Sequence, residues 1–382
     1  MLPTFGALVS AISLFLLLYC ARARGVDWIT AIIAAAVAGW TVLVAVGLIL
    51  SCFSALDSSI VYGITCLAFS GVAALLLFRF GPDPLPPPAP VPSIVDGMRG
   101  SRVLIGFLLL SGASVLLGNL IIAVLSLPTN PDTVSYRLPR IYWYLSSGAL
   151  EHFAPNVDKR LVFYPLNGVL LQMPIVQYRW PGQLFHLTTL AAWVLTGLTC
   201  YRLSREMGLG RAASAVTAWL VCLTPGVLVQ ALSTNDEILA AFILLIGLHF
   251  LLRFIRSRAL PDIALAMLAA GLSSGTKLHV VFFLPWLLAA LFWLLFAPAT
   301  RAWGSGVLTK MGVEGLALIV LFGATSALLA AAFLWPNWKA SGHLMDPAFA
   351  RSVMNQPFDR FVGLQNLVLH TVQMVLGPIP DL

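Results

Sequence analysis

The sequence predicts an all-α fold, a polytopic bundle of about ten transmembrane helices, and three observations carry that prediction. Apolar residues make up 59% of the 382 positions, charged residues only 10%, and the mean hydropathy is +0.93. Length alone suggests two or three soluble domains, but water would not dissolve a chain of this composition. Apolar stretches of about 20 residues, the length a helix needs to cross a hydrocarbon core of roughly 30 Å, recur from end to end. Arginines and lysines gather at alternate ends of these stretches, the sorting that insertion imposes on membrane helices.

In order, the stretches run from Leu2 to Cys20, Trp28 to Leu50, Ser58 to Phe80, Val103 to Leu127, Gln183 to Leu203, Ala212 to Ala231, Ile238 to Leu252, Pro261 to Gly275, Leu278 to Phe296 and Gly312 to Leu334. The first has no basic residue before its apolar run, and Arg22 and Arg24 follow it, so it reads as a retained helix rather than a secretory leader. The five cysteines, Cys20, Cys52, Cys66, Cys200 and Cys222, show no CxxC pair and no ligand-spaced His. Neither a disulfide framework nor a metal cluster is expected from them.

Orientation follows from the basic residues. Arg22, Arg24, Arg79, Arg99, Arg102, Arg202, Arg205, Arg211, Arg253, Arg256, Arg258, Arg301 and Lys310 all mark one face, which should be the cytoplasm. The opposite turns, Ser51 to Asp57, Ser233 to Glu237 and Thr276 to Lys277, hold one basic residue among them, so the N-terminus should start outside. The outer loop 128–182 breaks the pattern with Arg137, Arg140, Lys159, Arg160 and Arg179, and long loops obey the charge rule weakly. The PDPLPPPAPVP run forbids a continuous helix or strand and predicts an extended linker. The expected organisation is therefore three accessory helices in 1–80, a cytoplasmic linker in 81–102, a membrane core in 103–334 and an outer-face segment in 335–382.

The outer loop mixes charge, aromatics and short apolar stripes and is too rich for a mere connector. Asp132 and Thr133 read as a helix start, and Tyr136, Arg140, Trp143 and Tyr144 at spacings of three and four predict an amphipathic helix at headgroup depth. Gly148 should end it, and a second helix from Leu166 to Val176 would turn Leu170, Leu171 and Met173 toward the membrane. Helix alternation brings Ser233, Thr234, Asn235, Asp236 and Glu237, and also Thr276, Lys277 and His279, to the same outer face. Acids and cations together suit phosphate and sugar chemistry: cations hold a phosphate leaving group while a carboxylate takes a proton from a hydroxyl.

With these landmarks in place, the chain resembles the GT-C superfamily of polyprenyl-phosphate-sugar-dependent glycosyltransferases, nearest the protein O-mannosyltransferase and lipid A aminoarabinose transferase branch. Pro131, Asp132 and Tyr136 match an acidic residue and a Tyr in the first large outer loop. Asp236 in the STNDE run matches an acid where a helix returns from the outer face, and Gly271 to Lys277 is similar to a GxxxxTK element. The resemblance spans roughly 103–334. It implies an inverting transferase with an extracytoplasmic site in a bacterial inner membrane, whose donor is a polyprenyl-phosphate sugar and whose acceptor is a lipid, glycan or protein.

On that resemblance Asp132 is the general base and Asp236 a second catalytic carboxylate. Arg137, Arg140, Lys159, Arg160, Tyr136, Tyr164, Asn235, Glu237, Lys277 and His279 would bind donor phosphate or substrate. Asp132 lacks the paired acid that relatives often carry, so no divalent metal is assigned. No nucleotide-binding loop and no nucleic-acid partner are expected; membrane lipids are.

Structural readings stand beside these roles. Asp132 also suits an N-cap, Asp236 and Glu237 suit a helix dipole, and Lys277 suits snorkelling to headgroups. Arg137, Arg140, Lys159 and Arg160 also suit nonspecific anionic lipid. His186 and His249 read as packed or hydrogen-bonded side chains rather than catalytic ones, and Trp180, Trp335 and Trp338 as interface anchors. A transporter or flippase shares this hydropathy, although such carriers place ionisable groups at mid-membrane, whereas here nearly every charge falls at a helix end.

Overall fold

The computed structural model describes residues 2–85, 102–128, 130–151, 161, 163–231, 233–257, 259–277, 280 and 320–344, and all regular structure among them is helical. In chain order the helices are α1 (Leu2–Ala23), α2 (Trp28–Cys52), α3 (Ser59–Phe80), α4 (Arg102–Leu125), a π-helical turn (Thr133–Arg137) running into α5 (Leu138–Ser147), α6 (Asn167–Gln177), α7 (Leu184–Glu206), α8 (Arg211–Leu223), α9 (Pro225–Gln230), α10 (Asp236–Ser257), α11 (Leu260–Ser274), α12 (Val320–Ala331) and α13 (Leu334–Ser341). Six of them, α1, α2, α3, α4, α7 and α10, are long and apolar enough to cross a membrane; α8, α11 and α12 are shorter apolar helices.

Local chemistry sets several boundaries. Asp27 accepts from the Thr30 backbone N–H at 3.1 Å and from its hydroxyl at 2.7 Å, capping α2. Ser58 caps α3 in the same way. Gly148, at φ +71°, ends α5 in the left-handed conformation that an L side chain resists. Its carbonyl then accepts from Leu56 N–H at 2.9 Å, tying the outer loop to the turn after α2.

Between lipid-soluble helices there is no gain from escaping water, so close packing supplies the cohesion. Ala31, Ala34, Ala35 and Ala38 are buried along α2, which packs against α1, α3, α6, α7, α10 and α11. A Cβ added at Gly47 would fall 2.7 Å from a Leu170 methyl, so the missing side chain lets α2 and α6 approach. Leu170 and Met173 of α6 are thus fully buried against protein, which corrects their expected membrane-facing position.

Other expectations change for identifiable reasons. The stretch Ala212 to Ala231 is broken, because Thr224 leaves the helical region (ψ 123°) ahead of Pro225, whose ring disfavours a helical predecessor and which starts α9. The helix starting near Asp132 opens with π-helical geometry and buries Tyr136, Arg140 and Tyr144, whereas Tyr142 and Trp143 face outward. The stretch Leu278 to Phe296 lies outside the described residues except for Val280, as do most of the linker and residues 345–382.

Helices α7 and α10 outrun their apolar stretches because their terminal charges pair. Glu206, at the end of α7, meets Arg202 at 2.9 Å, Arg253 at 3.8 Å and Arg256. Arg253 also bonds Asp262 at 3.0 Å and the Asp83 carbonyl at 2.6 Å, while Arg202 reaches Asp27 at 3.0 Å and Arg24 pairs with Asp83. This arginine end lies opposite the end bearing the outer loop. The 22 residues of α10 separate the two by about 33 Å at 1.5 Å per residue.

Candidate functional site

The site begins with Asn130, just past α4. Its amide donates to the Ser233 carbonyl at 2.8 Å and to Asn235 Oδ1 at 3.2 Å, and its own Oδ1 accepts from Asp132 N–H at 2.8 Å. One polar side chain therefore fastens the start of the outer loop to the segment leading into α10. The Thr133 and Thr234 hydroxyls hydrogen-bond across the same junction. Thr234 sits at φ +53°, a conformation costly for a β-branched residue, and the Arg137 guanidinium bonds its carbonyl.

Arg137 is the hub. It is 1% exposed, reaches Asp236 Oδ2 at 3.0 Å and donates from two nitrogens to the Tyr136 hydroxyl at 3.3 Å. Burial opposes its charge, but Asp236 and Tyr136 outweigh burial and lift its pKa above the ordinary arginine value. Burial, assisted by Asp236 and Asp132 and opposed by Arg137, pushes the Tyr136 phenol upward. The site therefore holds a permanent guanidinium beside a neutral tyrosine hydroxyl.

Arg140, one turn on and 0% exposed, bonds the Tyr144 hydroxyl at 3.1 Å and the carbonyls of Pro165 at 3.3 Å and Tyr164 at 3.0 Å. It clamps the far limb of the outer loop over α5. That clamp sets Tyr164 edge-on to Tyr136, with ring centroids 5.3 Å apart. Lys277 closes the cluster from the end of α11: its Nζ donates to Glu237 Oε1 at 2.7 Å and lies 5.9 Å from the Tyr164 ring centre. Asp236 interacts electrostatically with Arg137, Lys277 and Arg140, and Asp132 with Tyr136.

Nine of the sequence-selected residues thus come together: Asp132, Tyr136, Arg137, Arg140, Tyr164, Asn235, Asp236, Glu237 and Lys277. Lys159, Arg160 and His279 lie outside the described residues, as does His152. Asp132 makes no side-chain cap to the helix it precedes. His186 and His249 are buried among helices, and neither ring nitrogen of either one is hydrogen-bonded among the described residues. Trp180 donates to the Pro3 carbonyl at 3.0 Å, and Trp335 and Trp338 are exposed against one another.

Sequence reasoning missed Asn167 and Gly168. Asn167 is 0% exposed; its side-chain amide donates to Leu272 O at 3.1 Å and Leu329 O at 3.0 Å, and its backbone carbonyl accepts from Trp40 Nε1 at 3.1 Å. It joins α2, α6, α11 and α12 beneath the cluster. Gly168 makes room for Asp236: a Cβ there would lie 2.4 Å from Oδ1, the carboxylate oxygen that accepts no hydrogen bond among the described residues. The signal was an Asn-Gly pair opening an otherwise apolar helix. Gly168→Ala is expected to push the carboxylate off Arg137 and lower unfolding stability by about 1–3 kcal/mol, the usual cost of overpacking; denaturant titration in detergent checks it.

The six long apolar helices mark the chain as an integral membrane protein, and all regular structure among its described residues is helical. No protein-family model, curated protein or solved structure matches it.

Proposed function

We propose that the protein is a membrane glycosyltransferase that moves a sugar from a polyprenyl-phosphate carrier to a hydroxyl acceptor on the extracytoplasmic face. The observation that carries this reading is the assembly of three distant segments, Asn130 to Arg140, Thr234 to Glu237 and Lys277, into one polar cluster at one end of the bundle. Its two kinds of charge are those the reaction needs. The resemblance to GT-C enzymes adds the same three landmarks in the same order.

Asp132 takes the proton of the acceptor hydroxyl as its oxygen attacks the anomeric carbon from the face opposite the phosphate. The carbon–oxygen bond to phosphate breaks, and its electron pair leaves with the polyprenyl phosphate. Lys277 faces that developing anion, exchanging its bond to Glu237 for one to phosphate. The buried Arg137–Asp236 pair sets the floor of the site, and Arg140 holds Tyr164 in place rather than meeting the donor. Membrane lipid delivers the carrier laterally, so the donor needs no nucleotide pocket.

The test is turnover by the purified full chain with a panel of labelled polyprenyl-phosphate hexoses and pentoses. Asp132→Asn should lower transfer about 10²-fold, the lower range for loss of a general base, with an unchanged melting temperature. Transfer at the normal rate in that variant removes Asp132 from its role. Donor left intact by the unaltered protein, or solute accumulating in sealed vesicles without covalent transfer, replaces the transferase reading with a transporter.

A further inference from the structure

At the arginine end, some 30 Å from the cluster above, a cavity of about 460 Å³ opens beside the first turn of α2 and the last turns of α7. Asp27, Trp28, Tyr201, Arg202, Arg205 and Arg211 line it. Three guanidinium groups thus face one carboxylate. That carboxylate is committed, since Asp27 already accepts from Arg202 and from both the backbone and hydroxyl of Thr30. Arg202 is committed too, bridging Asp27 and Glu206.

Among the described residues the other two cations meet no carboxylate: Arg205 donates to the Leu209 carbonyl, and Arg211 is exposed. A second cavity of about 330 Å³ shares Asp27, Arg202 and Arg205 and adds Arg22, Arg253 and Glu206; Glu206 answers Arg202 and Arg253 there, which leaves Arg205 as the cation common to both spaces without a carboxylate among the described residues. Trp28 is 59% exposed at the mouth, and Arg22 lies 5.2 Å from the centre of its ring.

Depth decides what fills such a space. The cavity sits where two membrane-spanning helices end, at the level where Trp and Tyr rings meet headgroups. A mobile soluble anion has no reason to prefer that depth, whereas a phosphodiester carried on acyl chains is held there. Arginine suits it because the planar guanidinium bonds two phosphate oxygens at once.

We propose that this cavity is a binding site for the headgroup of an anionic glycerophospholipid, with Arg205 and Arg211 as its phosphate ligands and Trp28 against the glycerol and upper acyl region. The site is separate from the proposed transfer site and does not depend on that reading.

Native mass spectrometry of the full chain, released from mixed micelles holding equal phosphatidylglycerol and phosphatidylcholine, tests it. Phosphatidylglycerol adducts should exceed phosphatidylcholine adducts at least fivefold. Arg205→Gln/Arg211→Gln should abolish that preference, and Arg211→Gln alone, which sacrifices no hydrogen bond among the described residues, should reduce it severalfold. Arg79→Gln, an exposed arginine at the end of α3 that does not line the cavity, should leave it intact. Equal retention of the two lipids, full preference in the double variant, loss in Arg79→Gln matching that in Arg211→Gln, or displacement by millimolar inorganic phosphate each overturns the assignment.

Discussion

Asp236→Leu is expected to destabilise the protein by about 3–5 kcal/mol, the cost of leaving one member of a buried ion pair without its partner. The side chains of Arg137 and Asp236 are 2% and 10% exposed, so water cannot solvate the orphaned guanidinium. Replacing both should be far milder: Arg137→Met/Asp236→Leu removes the unmatched charge and should recover most of the loss. Equilibrium unfolding of the four proteins of this cycle in one detergent gives the coupling directly. Additive single effects would show that the contact is incidental to the fold.

Glu206→Gln is the second large effect, expected at about 3–4 kcal/mol. Its carboxylate is 2% exposed and answers arginines from two helices, Arg202 on its own and Arg253 and Arg256 on α10. Arg253, at 1% exposure, keeps Asp262, and Arg202 keeps Asp27, but the three arginines lose the one acid they share. The contrasting variant is Arg256→Gln, whose side chain is a quarter exposed; screening by water should hold its cost to about 1 kcal/mol or less. Equal melting temperatures for Glu206→Gln and Arg256→Gln would place the stabilisation elsewhere.

The helical core was legible because the bilayer imposes a length, and runs such as Trp28 to Leu50 stand out without knowledge of their neighbours. Helix ends were less so. Stopping α10 at Leu252 treats Arg253 and Arg256 as surface charge, and nothing local reveals that Glu206 and Asp262 wait for them. Asp132, Asp236 and Lys277 were visible because ionised groups are scarce in this chain. Their connections were not, since Asn130 meets Ser233 and Arg137 meets Asp236 only after several helices have packed. Arg140 shows the limit most clearly: the resemblance gave it a donor phosphate, whereas the acceptors it meets are the Tyr144 hydroxyl and the backbone carbonyls of Tyr164 and Pro165, and a backbone carbonyl is carried by every residue type. Asn167 escaped for a related reason, because its partners are main-chain oxygens on α11 and α12.

The short link between α10 and α11 bears on how the chain enters its membrane. Arg253 and Asp262 flank that link and hydrogen-bond directly, with Ser257 adding a 2.5 Å bond to the same carboxyl group. All three groups belong to one helical hairpin, so opposite charges cancel as soon as its limbs meet, before α12 has been synthesised. The two helices can then enter the membrane with that charge pair already matched, and Glu206 on the earlier α7 offers a docking point for Arg253 and Arg256 already in place when they arrive.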